Sequence, residues 1–253
     1  MTVWQHPPTT EGAPAMKRSG YRALSVALVT AASALALSGC SLMIPVGPET
    51  SEERDIGDVS RVVLDTSGDL VVSEGEPALT VHAPEGVIER LTSEVDGDTL
   101  VLAAEPGFTM GFGDVRYELT VPQLELVDLN GSGDVEATVS TDGTVQLDLD
   151  GSGDVDWSGL EADRVEVRLS GSGDVALAGS AAELSVDLEG SGHVDAEQLE
   201  AEDAVVTLSG SGEVDVSASV SLSVDLSGSG EVSYSGDPST DVRVSGSGDV
   251  VRR

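Results

Sequence analysis

A five-residue motif recurs seven times in the second half of the chain: Gly-Ser-Gly, then Asp, Glu or His, then Val. The copies begin at Gly131, Gly151, Gly171, Gly190, Gly210, Gly228 and Gly246, and a degenerate copy runs from Thr66 to Leu70. Neighbouring regular copies are 18 to 20 residues apart. A repeat of this length cannot bury its own apolar face, so successive repeats must stack to close a core. The repeat therefore predicts a stack of similar units.

Apolar and polar residues alternate on both sides of each motif, which is typical of strands with one buried face. A flat meander would also alternate, but it gives no reason for the same residue to return with each repeat. In a coil, equivalent residues stack about 4.8 Å apart, and the glycines allow the chain to turn between two strands. The expected ladders are Leu129, Leu149, Leu169, Leu188, Leu208 and Leu226, and Val135, Val155, Val175, Val194, Val214, Val232 and Val250. We therefore predict an all-β fold, a right-handed parallel β-helix or solenoid with about 20 residues per coil.

The segment before the regular repeats has shorter and less regular apolar runs. Five strands are expected there, at Val62–Leu64, Leu70–Val72, Leu79–Val81, Leu100–Leu102 and Tyr117–Val121. The stretch from Pro84 to Leu91 is expected to form a turn or a brief helix. We assign residues 55–122 to irregular first coils or an N-terminal cap, and residues 123–253 to the regular coils of the same domain.

The N-terminal part of the chain has the pattern of an export signal. Lys17, Arg18 and Arg22 precede a mainly apolar run over residues 23–37. A run of this length fits a signal peptide and is short for a membrane-spanning helix. Residues 1–39 are therefore predicted to be a signal peptide, and Met16 is an alternative start of the chain.

Cys40, the single cysteine, follows Leu37-Ser38-Gly39, and this tetrapeptide resembles the lipobox of bacterial lipoproteins. The resemblance implies that Cys40 is lipidated and becomes the mature N-terminus, which anchors an exported protein to the outer side of the cell membrane. An ordinary signal peptide and an uncleaved anchor remain alternatives. Residues 40–54, which contain two prolines and several acids, are predicted to be a tether.

The formal net charge is −34 and the isoelectric point is about 4.1. Nucleic acid is excluded as a partner, because binding it requires basic surface that neutralises phosphates. The acidity either keeps the protein soluble or attracts divalent cations and basic partners.

Stacking the motifs would place their fourth residues in one column. That column is Asp134, Asp154, Asp174, His193, Glu213, Glu231 and Asp249. Like charges at this spacing repel, and Ca²⁺ prefers several carboxylate and carbonyl oxygens. The six acids are therefore candidate calcium ligands, and the alternative is that they are splayed and solvated.

The sequence offers little for catalysis. Beyond residue 40 the histidines are His82 and His193, far apart in sequence, and the Gly-Ser-Gly strings are repeated turns rather than nucleophile motifs. Trp157 either stacks on a sugar or fills the core. We predict that the chain is not an enzyme; polysaccharide-active β-helix enzymes remain an analogy of fold.

Together, the opening short strands, the Gly-Ser-Gly-Asp turns and the segment from Val232 to Pro238 resemble the head GIN family, labelled autotransporter adhesins. The resemblance covers about residues 55–253 and implies a right-handed parallel β-helix. Two functions are therefore expected. The first is a non-enzymatic envelope lipoprotein whose solenoid contacts proteins or glycans, as an adhesin does. The second is a calcium-binding envelope protein.

Overall fold

The computed structural model describes residues 47–107 and 114–253. Four of the sequence predictions fall outside these ranges: the signal peptide, the alternative start at Met16, the lipidation of Cys40 and the first residues of the tether. Within them, no helix has the length and apolar character needed to cross a membrane. The described chain is almost entirely strand, with a single short helix.

All the described strands belong to one hydrogen-bonded sheet. They are β1 (Glu49–Arg54), β2 (Arg61–Asp65), β3 (Asp69–Glu74), β4 (Ala78–Pro84), β5 (Leu91–Asp96), β6 (Thr99–Ala104), β7 (Arg116–Val121), β8 (Leu126–Leu129), β9 (Val135–Thr138), β10 (Thr144–Gly151), β11 (Val155–Gly171), β12 (Asp174–Gly190), β13 (His193–Gly210), β14 (Glu213–Gly228), β15 (Glu231–Ser235), β16 (Ser239–Gly246) and β17 (Asp249–Arg252). The helix α1 spans Glu85–Ile88, within the stretch predicted to be a turn or brief helix.

The regular part is a β-solenoid of about six turns with roughly 20 residues per turn, as predicted. Every strand from β8 to β17 pairs in parallel with the equivalent strand of a neighbouring turn. Leu129, Leu149 and Leu169 are successive partners in one ladder, and the predicted valine ladder is formed in the same way. The six ladder leucines are at most 1% exposed. Both ladder predictions are therefore confirmed.

The first coil does not stack in the order of the chain. β2 lies between β6 and β8, and β3 lies between β7 and β9, with all four pairings parallel. The coil formed by β2 and β3 therefore lies in the middle. The coil formed by β6 and β7 stacks on one side of it, and the first regular coil, formed by β8 and β9, stacks on the other. This arrangement explains why the degenerate motif at residues 66–70 directly contacts the first regular motif although about 60 residues separate them.

Antiparallel strands close the N-terminal end of the stack. β4 pairs with β7 and with β1, and β5 pairs with β6, all in antiparallel register. The predicted boundary of the tether needs correction here, because residues 49–54 form β1 and pair with β4 along its length. The side chains of β1 are almost all exposed, so the strand has no apolar alternation by which the sequence could reveal it. Its pairing depends on backbone hydrogen bonds and on Arg54, whose guanidinium donates to the carbonyl oxygens of Ile88 and Leu91.

Candidate functional site

The structure brings the predicted acidic residues together in one column on the outer face of the solenoid. Asp174, His193 and Glu213 are partners in neighbouring coils, and Glu231 and Asp249 continue the series. Asp134 and Asp154 extend it in the other direction and are joined by hydrogen bonds. The geometry of the column is therefore as expected, while its role in binding calcium stays a prediction.

The lower half of this column uses its carboxylates to join coils. The backbone N–H of Asp154 donates to Oδ1 of Asp134 over 3.0 Å, and the N–H of Asp174 donates to Oδ1 of Asp154 over the same distance. Asp69, from the degenerate motif, accepts from the N–H of Asp134 at 3.2 Å. One carboxylate oxygen each of Asp69, Asp134 and Asp154 therefore satisfies a backbone donor and has a structural role without any cation.

The upper half of the column is bonded differently. The N–H of His193 donates to the carbonyl oxygen of Gly173, and that of Glu213 donates to the carbonyl oxygen of Gly192. Since the side chain at this position is no longer needed as an acceptor, its length is free to vary. This explains why Asp occupies the first copies of the motif, whereas His and Glu occupy three of the later ones. The change from Asp to His and Glu is visible in the sequence, but only the hydrogen bonds of the structure explain it.

An open groove of about 480 Å³ runs along the lower half of the column. One side is formed by Asp69, Asp134, Asp154, Asp174 and His193, and the other by Glu136, Asp156 and Asp195, which lie two residues further along the same strands. We call this surface the acidic groove. Arg116 is the single basic Lys or Arg side chain among its described lining residues. The groove therefore presents a continuous negative surface across five levels of the stack.

Other acids of the solenoid are less concentrated. On the strands before the glycines, Asp128 and Asp148 are followed in register by Arg168, which donates to Asp148 over 3.2 Å. Burial raises the pKa of Asp128, and repulsion by Asp148 adds to the shift. Arg168 interrupts this second column, so the acidic groove is the stronger candidate for binding a cationic partner.

A smaller cluster lies where the groove ends, and we call His193, Glu213 and Asp215 the Asp215 cluster. Ligand atoms of the three side chains all lie within 4.8 Å of one another. His193 Nε2 is 3.2 Å from Asp215 Oδ2, and Arg253 Nη2 is 3.0 Å from Asp215 Oδ1. Arg253 also donates to Glu197 over 2.6 Å, and this bond raises the pKa of the guanidinium. Sequence reasoning missed Asp215, because its place in the alternation predicts an exposed side chain and the structure buries it.

The remaining side chains that the sequence offered for catalysis or sugar binding are one tryptophan and two histidines. Trp157 is completely buried and its Nε1 donates to the carbonyl oxygen of Val139, so it is a core residue and not a sugar platform. His82 lies on β4 in the cap and contacts Glu118, whereas His193 begins β13 and contacts Asp215. The two histidines therefore contact different carboxylates on different strands and do not belong to one site.

Comparison with protein families gives a match over residues 59–238 to a family described as "Putative auto-transporter adhesin, head GIN domain". A search of curated proteins gives no match. The match covers most of the chain and includes both the irregular first coils and most of the regular ones. The family resemblance inferred from the motifs is thereby confirmed.

Solved structures share the fold. A putative adhesin from Bacteroides fragilis NCTC 9343 has a TM-score of 0.78 and 21% identity, over 81% of this chain and 97% of that one. A "putative lipid binding protein" from Parabacteroides distasonis ATCC 8503 has a TM-score of 0.68 and 25% identity, over 82% and 97%. A putative adhesin from Parabacteroides merdae ATCC 43184 has a TM-score of 0.65 and 18% identity, over 82% and 97%.

Proposed function

Because the chain belongs to the head GIN domain family of auto-transporter adhesins, we propose that it is a non-enzymatic surface lipoprotein whose solenoid binds other molecules of the cell envelope. The observation that carries this proposal is the acidic groove, in which carboxylates recur from coil to coil on the outside of the stack. Family and structural relatives point to adhesins and not to enzymes. An adhesin-like protein is expected to act outside the cytoplasm.

The chemistry of the groove favours a partner with basic side chains. Its carboxylates attract lysine and arginine, and the attraction increases the rate of association and gives it a strong salt dependence. A neutral glycan gains nothing from the charge of these carboxylates, and Trp157, the side chain that the sequence suggested for stacking on a sugar, is buried in the core. We therefore propose a protein with a basic surface or segment as the partner, and a glycan is the alternative that the experiment below must exclude.

Removing three charges from the groove is expected to weaken binding of an oligolysine peptide by about 10-fold, if each exposed charge pair contributes about 0.5 kcal/mol. The variant is Asp134→Asn, Asp154→Asn and Asp174→Asn. Asparagine keeps the Oδ1 acceptor that two of these side chains offer to the next coil, so the fold should persist. Fluorescence anisotropy of the labelled peptide, measured at several salt concentrations, gives the affinity.

The matched control removes three exposed acids from another surface. Asp142, Glu161 and Asp163 line a separate shallow hollow, and their replacement by Asn, Gln and Asn changes the net charge by the same amount. Equal weakening in both triple variants would show that net charge alone attracts the peptide and would contradict a groove-specific site. The same two variants should then be compared for binding to isolated envelope material. Binding that requires glycan and ignores the groove charges would favour the alternative.

The proposed lipid anchor has its own test. Changing Cys40 to Ser removes the thiol that carries the lipid, and because the lipid is added before the signal peptide is cleaved, the variant should lack the lipid and keep residues 1–39. Ser38→Ala keeps a small residue at the lipobox and should leave the protein in the membrane fraction. Mass spectrometry of the mature N-terminal peptide should show the lipid on Cys40 of the wild-type protein. A wild-type protein whose mature N-terminal peptide carried no lipid, or a Cys40→Ser protein that was cleaved before residue 40 like the wild type, would contradict lipid anchoring.

A further inference from the structure

Asp215 is buried although the sequence alternation turns it outwards. Val214 and Val216 on either side point into the core and are fully buried, so Asp215 lies on the outer face of β14. Its side chain is nevertheless only 6% exposed, and its two oxygens face cationic or imidazole nitrogens: Oδ1 lies 3.0 Å from Arg253 Nη2 and Oδ2 lies 3.2 Å from His193 Nε2. A carboxylate in such surroundings is unfavourable unless a cation compensates it.

The neighbouring side chains complete a set of metal ligands. His193 and Glu213 are register partners in adjacent coils, and Asp215 lies on the same face of the strand as Glu213. His193 Nε2 and Asp215 Oδ2 are 3.2 Å apart, close to the separation of about 3.4 Å between two ligands of a tetrahedral zinc ion. We propose that His193, Glu213 and Asp215 form a binding site for a divalent transition-metal ion of the zinc class.

The identity of the ligands selects the ion. Ca²⁺ and Mg²⁺ prefer oxygen ligands, whereas an imidazole nitrogen is a ligand for Zn²⁺ and related transition-metal ions, which also accept carboxylate oxygens. Three protein ligands leave one position of a tetrahedral site for water or for a group of another molecule. This site shares His193 and Glu213 with the column predicted from the sequence, and it differs from the predicted calcium site in its third ligand, Asp215, and in the nitrogen ligand from His193.

Arg253 occupies the position of the cation in this structure. Its Nη2 atom lies 3.0 Å from Asp215 Oδ1 and 3.5 Å from Glu213 Oε1. A metal ion and this guanidinium therefore compete for the same two carboxylates. The bond from Nη1 of Arg253 to Glu197 lies outside the ligand set, so the arginine can swing towards Glu197 when the ion binds. Arg253 is thus a competitor built into the site.

Calorimetric titration of the purified chain, prepared without a histidine tag, should show one Zn²⁺ bound per molecule. His193→Gln should weaken the affinity for Zn²⁺ by more than about 10-fold. Loss of a residue that only hydrogen-bonds to a metal ligand already weakens affinity by about that factor, and loss of a ligand should have a larger effect. His82→Gln is the matched control, because His82 also contacts a carboxylate but lies in the cap. Arg253→Ala should bind Zn²⁺ more tightly than the wild type does, since it removes the competing cation.

Substitution with Co²⁺ provides a readout that does not depend on heat. Four-coordinate Co²⁺ absorbs visible light, and this absorption should be lost in His193→Gln and retained in His82→Gln. Circular dichroism of each variant shows whether the solenoid is still folded. Zinc affinity that is unchanged in His193→Gln, or undetectable in both the wild type and Arg253→Ala, would overturn the proposal. The groove variant Asp134→Asn, Asp154→Asn and Asp174→Asn should bind Zn²⁺ normally, which separates this site from the proposed function.

Discussion

Replacing Gly171 with alanine is expected to lower the free energy of unfolding by about 3 kcal/mol or more, because both the space and the backbone conformation at this corner exclude a side chain. Gly171 has φ of +149°, and an added Cβ would lie 2.1 Å from the carbonyl oxygen of Gly151 in the coil below. The contact is with backbone that pairs with its neighbours, so it cannot be relieved by a side-chain movement. Urea denaturation followed by circular dichroism measures the loss.

Two further glycines separate the two causes. Gly159 has φ of +77° but open space around its Cα, whereas Gly173 lacks a left-handed φ and its added Cβ would lie 2.1 Å from the carbonyl oxygen of Gly153. Gly159→Ala should therefore reduce stability by only about 1 kcal/mol, the effect of an unfavourable backbone conformation alone. Gly173→Ala should come close to Gly171→Ala. If Gly159→Ala were as damaging as Gly173→Ala, close stacking of the coils would not be the reason for the glycines.

The repeat predicted the stacking of the coils because each repeated side chain has a partner of the same kind. Leu149 and Leu169 lie one coil apart and form a ladder. Their separation in the sequence is the length of one coil, so the repeat directly predicts that they are neighbours in the structure. The insertion of the β2–β3 level between two later levels has no such signal. The position of β2 and β3 between strands that come later in the chain depends on which strand edges are unpaired when β8 and β9 join the sheet. That is a property of the whole fold and not of a local sequence pattern. β1 was missed for a related reason, since its pairing is made by backbone atoms that every sequence has.

The same distinction applies to the candidate sites. The acidic column was predictable, because one position of a repeat maps onto one line of the surface. The burial of Asp215 was not, because it depends on Arg253, which is 38 residues away in sequence and crosses from the last strand level to reach it. The hydrogen bonds of Asp134 and Asp154 were also missed, since the sequence shows that a carboxylate recurs but not which backbone donor it accepts from.

Replacing Trp157 with alanine is expected to be as damaging as the loss of a corner glycine. Trp157 is fully buried, and its partners in the coils on either side are Ala137 and Leu177. The small side chain of Ala137 helps to provide room for the indole and is too short to fill the space that alanine at position 157 would leave. A cavity of this origin reduces stability by about 3–5 kcal/mol.

Trp157→Phe separates the cavity from the hydrogen bond. Phenylalanine keeps much of the ring volume but leaves the carbonyl oxygen of Val139 without the Nε1 donor, and an unsatisfied buried acceptor reduces stability by about 1–3 kcal/mol. Val205→Ala is the control, because Val205 is 49% exposed and its truncation should change stability by about 0.5 kcal/mol or less. Circular dichroism in urea should rank the variants with Trp157→Ala lowest, Trp157→Phe intermediate and Val205→Ala close to the wild type. A Trp157→Ala protein as stable as Val205→Ala would contradict the core position of the indole and would reopen the possibility that this side chain meets a sugar.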